Sequence, residues 1–341
     1  MSVSKAAWGM DPSGEPVFLY SLSDEIDVTV SNYGGTITSI RAPDRRGVKG
    51  DVVLGFDKIE GYIGSPFYYG ATIGRYANRI GKGMIEIDDE SYQLPLNDGM
   101  NHLHGGFNGF DKKVWSPEVI DESSLRLSYH SEDGDEGYPG NLDAVVTFTV
   151  IEDRLEVDYL ANTDKPTVVN MTNHAYFNLG SDRTILSHKL WLDADQYTPV
   201  DENLIPIGPH ESVDYTPFDF REPATVGARI DEKHSQLVRA NGYDQNFVLN
   251  QVRNPQVAVS DPVSGRVLEI STTMPGVQFY TGNFLDGRDI GRRSTMGFRS
   301  GLCLETQFFP DSPNNLEYPS PILRPREKYI EKTVYRFTVE N

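Results

Sequence analysis

The chain has 341 residues, with 31 basic and 50 acidic side chains and a formal net charge of −19 when histidine is neutral. Such a field repels polyphosphates, which disfavours nucleic acid and anionic membranes as partners but leaves a small neutral ligand unaffected. The single cysteine, Cys303, excludes an intramolecular disulfide and a zinc site built from several cysteines. Residues 1–16 contain no apolar leader, and no apolar run is long enough to span a membrane, so we expect a cytoplasmic protein.

Alternation of apolar and polar residues with a period of two predicts that most of the chain forms strands. The alternating segments are residues 26–30, 125–129, 145–150, 155–160 and 263–270. Helical patterns are short, and only residues 57–62 and 223–230 are candidates. No linker or repeat divides the chain. We therefore expect one all-β domain over residues 1–341, a large antiparallel β-sandwich with few short helices.

Two histidines two residues apart, His102 and His104, are followed directly by a pair of glycines. On an extended strand both side chains would share one face and could present two metal ligands. A glycine-containing loop, in which one histidine makes a structural hydrogen bond, is the favoured alternative.

A second polar segment covers residues 170–178. If it forms one strand, a whole face is polar, and its members are Asn170, Thr172, His174, Tyr176 and Asn178. Such a face suits a wet groove lined by hydrogen-bond donors and acceptors, and an ordinary solvated strand face is the alternative. His174 alone does not decide between them.

Amides, carboxylates and aromatic rings are mixed in the segments 242–247 and 276–280. Alternation places Gln278 and Tyr280 on one face of the second segment, and Asp244 lies among aromatic residues in the first. Sugar hydroxyls require such donors and acceptors, and the apolar face of a sugar ring packs on aromatic rings. These segments indicate a carbohydrate ligand.

The segment 301–307 predicts a strand with Cys303 and Glu305 on one face. A carboxylate held beside leucines and a cysteine is a candidate for a raised pKa and for general-base catalysis, whereas a Glu on an edge strand in water is the more common case. Cys303 allows a second hypothesis, a cysteine–histidine nucleophile pair, although a lone cysteine in an apolar strand is more often inert.

Taken together, these segments resemble the aldose 1-epimerase family, also called the galactose mutarotases. The resemblance covers nearly the whole chain, in the family's order. Its motifs are Asn32-Tyr33-Gly34-Gly35, Gly74-Arg75-Tyr76-Ala77-Asn78-Arg79-Ile80, Leu103-His104-Gly105-Gly106, Gly109-Phe110-Asp111-Lys112, Asp133-Gly134-Asp135-Glu136-Gly137-Tyr138-Pro139-Gly140, Thr172-Asn173-His174-Ala175-Tyr176-Phe177-Asn178-Leu179, Tyr243-Asp244, Gly276-Val277-Gln278-Phe279-Tyr280 and Leu304-Glu305-Thr306-Gln307.

The resemblance implies a galactose mutarotase-like β-sandwich with an open groove for a hexose. It implies interconversion of the α and β anomers of free hexoses such as D-galactose and D-glucose, with no cofactor and no metal. We expect the protein to be a monomer or a homodimer. Glu305 matches the family's general base and His174 its general acid. The positions that match sugar-binding residues are His104, Arg79, Asp244, Gln278 and, more weakly, Asn78.

The chemistry requires the same acid and base. Opening a hemiacetal ring removes the proton from the C1 hydroxyl and protonates the ring oxygen; the aldehyde then turns about C1–C2 and closes on its other face with the roles reversed. At ordinary pKa values of about 4.3 and about 6.5, Glu305 is ionised at neutral pH and His174 is partly protonated.

Three other functions are compatible with parts of the sequence. A hexose-6-phosphate mutarotase on the same fold would need basic residues to hold the phosphate. A sugar-binding module without turnover would not need both Glu305 and His174. A metal enzyme would use His102 and His104 as ligands.

Overall fold

The computed structural model describes residues 3–340. Strands contain 43% of the residues and helices 8%, which confirms the all-β class. The first sheet has five strands in chain order, each antiparallel to the next. They are β1 (Ser4–Met10), β2 (Pro16–Ser23), β3 (Asp27–Ser31), β4 (Thr36–Pro43) and β5 (Lys49–Asp51).

The remaining strands are β6 (Thr72–Ile73), β7 (Arg79–Ile80), β8 (Met84–Ile87), β9 (Glu90–Gln93), β10 (His102–Leu103), β11 (Ser116–Val119), β12 (Ser124–Ser131), β13 (Leu142–Ile151), β14 (Arg154–Thr163), β15 (Thr167–Val168), β16 (Thr172–Asn173), β17 (Tyr176–Phe177), β18 (Lys189–Leu192), β19 (Gln196–Tyr197), β20 (Glu211–Ser212), β21 (Ala224–Thr225), β22 (Asp244–Val248), β23 (Val257–Ser260), β24 (Arg266–Thr272), β25 (Gly276–Tyr280), β26 (Asp289–Ile290), β27 (Thr295–Met296), β28 (Leu302–Gln307), β29 (Ile322–Leu323) and β30 (Tyr329–Val339). The helices are α1 (Ile59–Gly64) and α2 (Ser235–Ala240), with 3₁₀ turns at Gly81–Gly83, Phe110–Lys112, Asp135–Gly137, Val226–Ala228 and Ser312–Asn314.

Two further large sheets complete the sandwich. The nine-stranded sheet has the order β11-β12-β13-β14-β30-β24-β23-β18-β21, and the six-stranded sheet has the order β17-β28-β25-β22-β19-β20. Burial alternates along all ten residues of β13, as expected for a strand with one face on a core. The three large sheets meet in one hydrophobic cluster, to which each contributes fully buried side chains such as Val28, Val146 and Leu304. No helix within residues 3–340 is long and apolar enough to cross a bilayer.

The strands predicted at 26–30, 125–129, 145–150 and 155–160 are confirmed as parts of β3, β12, β13 and β14. The strand predicted at 263–270 begins only at Arg266, because the residues before it form a turn.

The helix predicted at 57–62 is present as α1, shifted by two residues. The prediction of a helix at 223–230 is wrong. Its first residues pair as β21 with β18, and only a 3₁₀ turn follows. A glycine at position 227 and the β-branched Thr225 and Val226 weaken helix formation there, so strand pairing prevails. Helix α2 is not among the helices predicted from the sequence.

Candidate active site

The central strands of the six-stranded sheet position one wall of a pocket of about 430 Å³. In the antiparallel ladder, Glu305 of β28 lies directly opposite Gln278 of β25, and Asp244 of β22 lies opposite Tyr280 of β25. All four side chains line the pocket. The strand predicted at 301–307 and the shared face of Gln278 and Tyr280 are therefore confirmed.

Short strands at the other side of the pocket hold the second wall. β7 pairs with β10, so that Arg79 lies opposite Leu103. Next to this pair, the backbone N–H of Asn78 donates to Nδ1 of His104 at 3.1 Å. A neutral imidazole that accepts at Nδ1 carries its proton on Nε2, so His104 is a hydrogen-bond donor at its other nitrogen.

His174 lies between β16 and β17, and its backbone is fixed on both sides. Its N–H donates to the carbonyl of Ala71 at 2.9 Å, and its carbonyl accepts from the N–H of Gly70 at 3.0 Å. Its Nε2 lies 3.6 Å from Oε1 of Glu305, and its Nδ1 lies 3.5 Å from Sγ of Cys303. A carboxyl group and an imidazole are thus adjacent at the pocket wall.

The single polar strand predicted at 170–178 is wrong, because the segment is interrupted and buried. Asn170 and Asn178 are buried and donate to backbone carbonyls of Ala77 and Ser300, at 3.1 Å and 2.9 Å. Only His174 and Tyr176 of the predicted face line the pocket. The segment is a buried framework that projects two side chains into the pocket, rather than a wet strand face.

Burial dominates the electrostatics of Glu305 and His174. Glu305 is 2% exposed, and its Oε2 has no hydrogen-bond partner among the described residues. Desolvation raises the pKa of its carboxyl well above the ordinary value; the charge of Asp244 adds to this effect, and the charge of Arg79 opposes it.

Burial lowers the pKa of His174 to about 4. It also lowers the pKa of His104 well below the ordinary value, with further contributions from His174 and Arg79. Burial thus disfavours the charged form of both groups, whereas ordinary pKa values would favour an ionised Glu305 beside a partly protonated His174.

Two further pairs present polar atoms to the pocket. Nε2 of Gln278 donates to Oδ1 of Asp244 at 2.7 Å, and Nε of Arg79 donates to Oδ2 of Asp98 at 2.8 Å. Burial raises the pKa of Asp244, and the charge of Arg79 partly offsets this. Fixed carboxylates with amide and guanidinium partners can bind several hydroxyl groups of one small ligand.

Comparison with known proteins identifies this architecture. The Aldose 1-epimerase family profile matches residues 19–336. The chain belongs to the aldose 1-epimerase family. It is 45% identical to the galactose mutarotase of Homo sapiens over 345 residues and 44% identical to that of Rattus norvegicus over 346 residues, with 99% of both chains covered in each case. The crystal structure of galactose 1-epimerase from Lactobacillus acidophilus matches with a TM-score of 0.88 at 30% identity, covering 100% of both chains.

Membership of the aldose 1-epimerase family confirms the resemblance seen in the sequence and makes the chain an isomerase. The structure brings to one pocket all seven residues that the resemblance singled out. They are Asn78, Arg79, His104, His174, Asp244, Gln278 and Glu305. Their roles in the epimerase are taken up below as a proposal.

The structure does not support the metal site considered for His102 and His104. His102 points away from His104: its Nδ1 lies 2.8 Å from the carbonyl oxygen of Pro95, and its Nε2 lies 2.7 Å from the hydroxyl of Tyr138. His102 is fully buried and makes structural hydrogen bonds, so the paired metal ligands considered for these two histidines are wrong.

Cys303 is adjacent to His174, as a nucleophile pair would require. Burial raises the pKa of its thiol well above the ordinary value, and the charge of Glu305 adds to this. The thiol is therefore protonated, whereas a nucleophilic cysteine needs the thiolate.

Several pocket residues of the epimerase were not found from the sequence. Tyr68, Asp98, Met100 and Phe284 line the pocket from loops. No periodicity marks them, because a loop side chain is directed by its turn rather than by a strand register. Only one feature of the sequence pointed to Asp98: Arg79 was expected in the site, and an arginine there needs an acidic partner.

Proposed function

We propose that this epimerase interconverts the α and β anomers of free hexoses such as D-galactose and D-glucose, with Glu305 as base and His174 as acid. The observation that carries the proposal is the 3.6 Å separation of Oε1 of Glu305 and Nε2 of His174 at the wall of a hexose-sized polar pocket. The relatives' names, galactose mutarotase and aldose 1-epimerase, support the same substrates.

The charge preference of the pocket explains how the pair drives ring opening. Glu305 takes the proton of the C1 hydroxyl while His174 gives its proton to the ring oxygen, so an ionised pair becomes a neutral pair. A buried site favours that neutral product, and the raised pKa of Glu305 makes its carboxylate a stronger base. On reclosure at the other face, the attacking hydroxyl gives its proton back to His174 while Glu305 returns its proton to the C1 oxygen, which restores the ionised pair.

The remaining pocket groups hold the sugar in this mechanism. Nε2–H of His104 donates to an oxygen near the ring, and the Gln278–Asp244 pair and Arg79 bind hydroxyls. Asn78 fixes His104 through its backbone N–H. Neither a metal nor a cofactor takes part in these steps.

We further propose that residues 1–341 act as a single domain, as a monomer or homodimer, in the cytoplasm. The shared hydrophobic cluster of the three large sheets supports a single domain. Asn170 stands in an N-glycosylation sequence but is fully buried in the fold. Because a glycan would not fit there, this position favours a compartment without N-glycosylation, which supports a cytoplasmic location.

Polarimetry on freshly dissolved α-D-galactose and α-D-glucose tests the function. Wild-type protein is expected to speed the approach to equilibrium rotation, and Glu305→Gln is expected to lose this effect while still binding sugar. Retention of most activity in Glu305→Gln would remove Glu305 from the base role. Absence of acceleration by the wild type with either sugar would refute the proposed substrates.

A further inference from the structure

Tyr68 occupies an unusual place beside the acid–base pair. It lies in the loop between α1 and β6, and its backbone φ of 56° is in the left-handed region that bulky side chains rarely adopt. The side chain lines both the sugar pocket and a second cavity of about 140 Å³. A strained conformation that persists next to a site must be held by the surrounding structure.

Backbone hydrogen bonds tie the Tyr68 turn to the acid. The N–H of Ala71 donates to the carbonyl of Tyr68 at 3.0 Å. The same short segment, Gly70 and Ala71, exchanges two backbone hydrogen bonds with His174, at 3.0 Å and 2.9 Å. The turn that holds Tyr68 in this conformation is therefore hydrogen-bonded to the backbone of His174, and the Tyr68 ring contacts the same residue.

The phenol ring contacts both histidines. Its centroid lies 4.8 Å from that of His104, with an interplanar angle of 60°, and 5.8 Å from that of His174, with an angle of 31°. The two imidazoles are themselves 5.2 Å apart. The three rings thus form one cluster at the pocket wall, in which Tyr68 is the member that comes from outside the family's sequence motifs noted above.

The groups that face this ring cluster are few. Besides Tyr68 and His104, His174 contacts Glu305, Cys303 and the ring of Tyr176, whose centroid is 5.0 Å away. The charged groups around the phenol of Tyr68 are Asp111, Asp98 and Arg79. Cys303 and the two tyrosines are neutral at physiological pH, so the environment of His174 depends on its contact with Glu305 and on whether water reaches the imidazole from the Tyr68 side.

We propose that Tyr68 is a positioning residue of the proposed epimerase, whose ring keeps water away from His104 and His174 and so confines the transferred proton to the Glu305–His174 pair. This inference rests on the proposed function. The ring, rather than the hydroxyl, is the active part, because ring contact is what covers the imidazoles.

Three variants separate the ring, the hydroxyl and the backbone strain. Tyr68→Phe keeps the ring and is the matched control. Tyr68→Leu removes the ring but keeps a side chain at the left-handed position, and Tyr68→Gly removes the ring and also suits the backbone. Thermal melts establish that each variant is folded, and if Tyr68→Leu does not fold, Tyr68→Gly decides.

The direct readout is the pKa of His174 in sugar-free protein, followed by NMR of ¹³C-labelled histidine. Loss of the ring admits water, so we expect the pKa of His174 to rise from about 4 by about one unit or more in Tyr68→Leu and Tyr68→Gly, and to stay unchanged in Tyr68→Phe. This readout needs no turnover, so it remains valid if the proposed substrates are wrong.

The activity readout is the pH profile of kcat/KM for galactose. A higher pKa of His174 lets the doubly protonated pair, which lacks a base, form at higher pH, so the acid limb should move up by about one pH unit in both ring-less variants. An unchanged pKa of His174 in both variants overturns the proposal. A shift in Tyr68→Phe as large as in Tyr68→Leu also overturns it, because the hydroxyl would then be responsible.

Discussion

Glu305 is a carboxyl group in surroundings that oppose its charge. Its side chain is almost fully buried, its Oε2 lacks a partner among the described residues, and Asp244 lies nearby. A buried carboxyl group of this kind lowers the free energy of unfolding when it ionises. The burial that would make Glu305 a strong base in the proposed mechanism should therefore be measurable as a cost in stability.

We expect Glu305→Gln to be more stable than the wild type at pH 7, by roughly 2 °C in Tm for each kcal/mol gained. Because the pKa of Glu305 is raised in the folded state, the folded protein binds more protons there than the unfolded chain above pH 4.5, so wild-type stability falls as pH rises. The amide does not titrate, so the Tm difference should shrink as pH falls toward 4.5.

Thermal denaturation between pH 5 and pH 8 measures this difference. The matched control is Glu317→Gln, which changes an exposed carboxyl and should leave Tm unaltered at every pH. A Tm of Glu305→Gln below that of the wild type at pH 7, with no pH dependence of the gap, would contradict the assignment of Glu305 as a buried, destabilised base.

His174→Asn should lower kcat by about 10²–10⁴-fold, because asparagine cannot protonate the ring oxygen. KM should change much less, since the pocket keeps its shape and its hydroxyl-binding groups. The control is His130→Asn, at an exposed surface position, which should be as active as the wild type. A pure rise in KM with unchanged kcat would show that His174 binds sugar but is not the acid.

At the scale of elements, the strands with one buried face were predicted correctly, whereas the buried and interrupted segment 170–178 was not. β13 and β14 show clear alternation in the sequence and in burial. The segment around His174 has an alternating polar pattern, but its asparagines pair with buried backbone groups that only the folded chain brings near. Local periodicity carries no information about such long-range partners, which is also why Tyr68 was missed.

The turn that follows β10 depends on one glycine. Gly105 has φ of 85°, and a Cβ there would lie 1.8 Å from the carbonyl oxygen of Gly74. Since backbone cannot rotate aside as a side chain can, Gly105→Ala must displace the turn that carries His104. We expect a lower Tm, a lower kcat and a higher KM for galactose.

Gly14→Ala is the matched control for this substitution. Gly14 has a similar φ of 91°, but its Cβ would have no atom within 4 Å. It should show only the cost of alanine in a left-handed conformation, about 1 kcal/mol, with unchanged KM. If the two variants melted alike and both kept the wild-type KM, the close contact at Gly105 would not position the site.

At the scale of the whole molecule, charge is expected to select the substrate. The chain carries a net charge of −19, and the acidic residues that line the pocket are Asp98, Glu202, Asp244 and Glu305. Arg79 is the single lysine or arginine among the lining residues that the structure describes, and it is already paired with Asp98. A phosphate group on the sugar would therefore enter a pocket that offers repulsion and no unpaired cation.

We expect kcat/KM for α-D-glucose 6-phosphate to be roughly 10–100-fold below that for α-D-glucose, as judged from the Coulomb repulsion of a dianion by several carboxylates. Raising the salt concentration screens this repulsion, so the ratio should narrow, whereas the rate with neutral glucose should not change. Polarimetry at low and high ionic strength measures both effects. Equal kcat/KM for the two sugars at low salt would contradict this prediction and would instead support the hexose-6-phosphate mutarotase, because the protein would then have to neutralise the phosphate charge by groups other than Arg79.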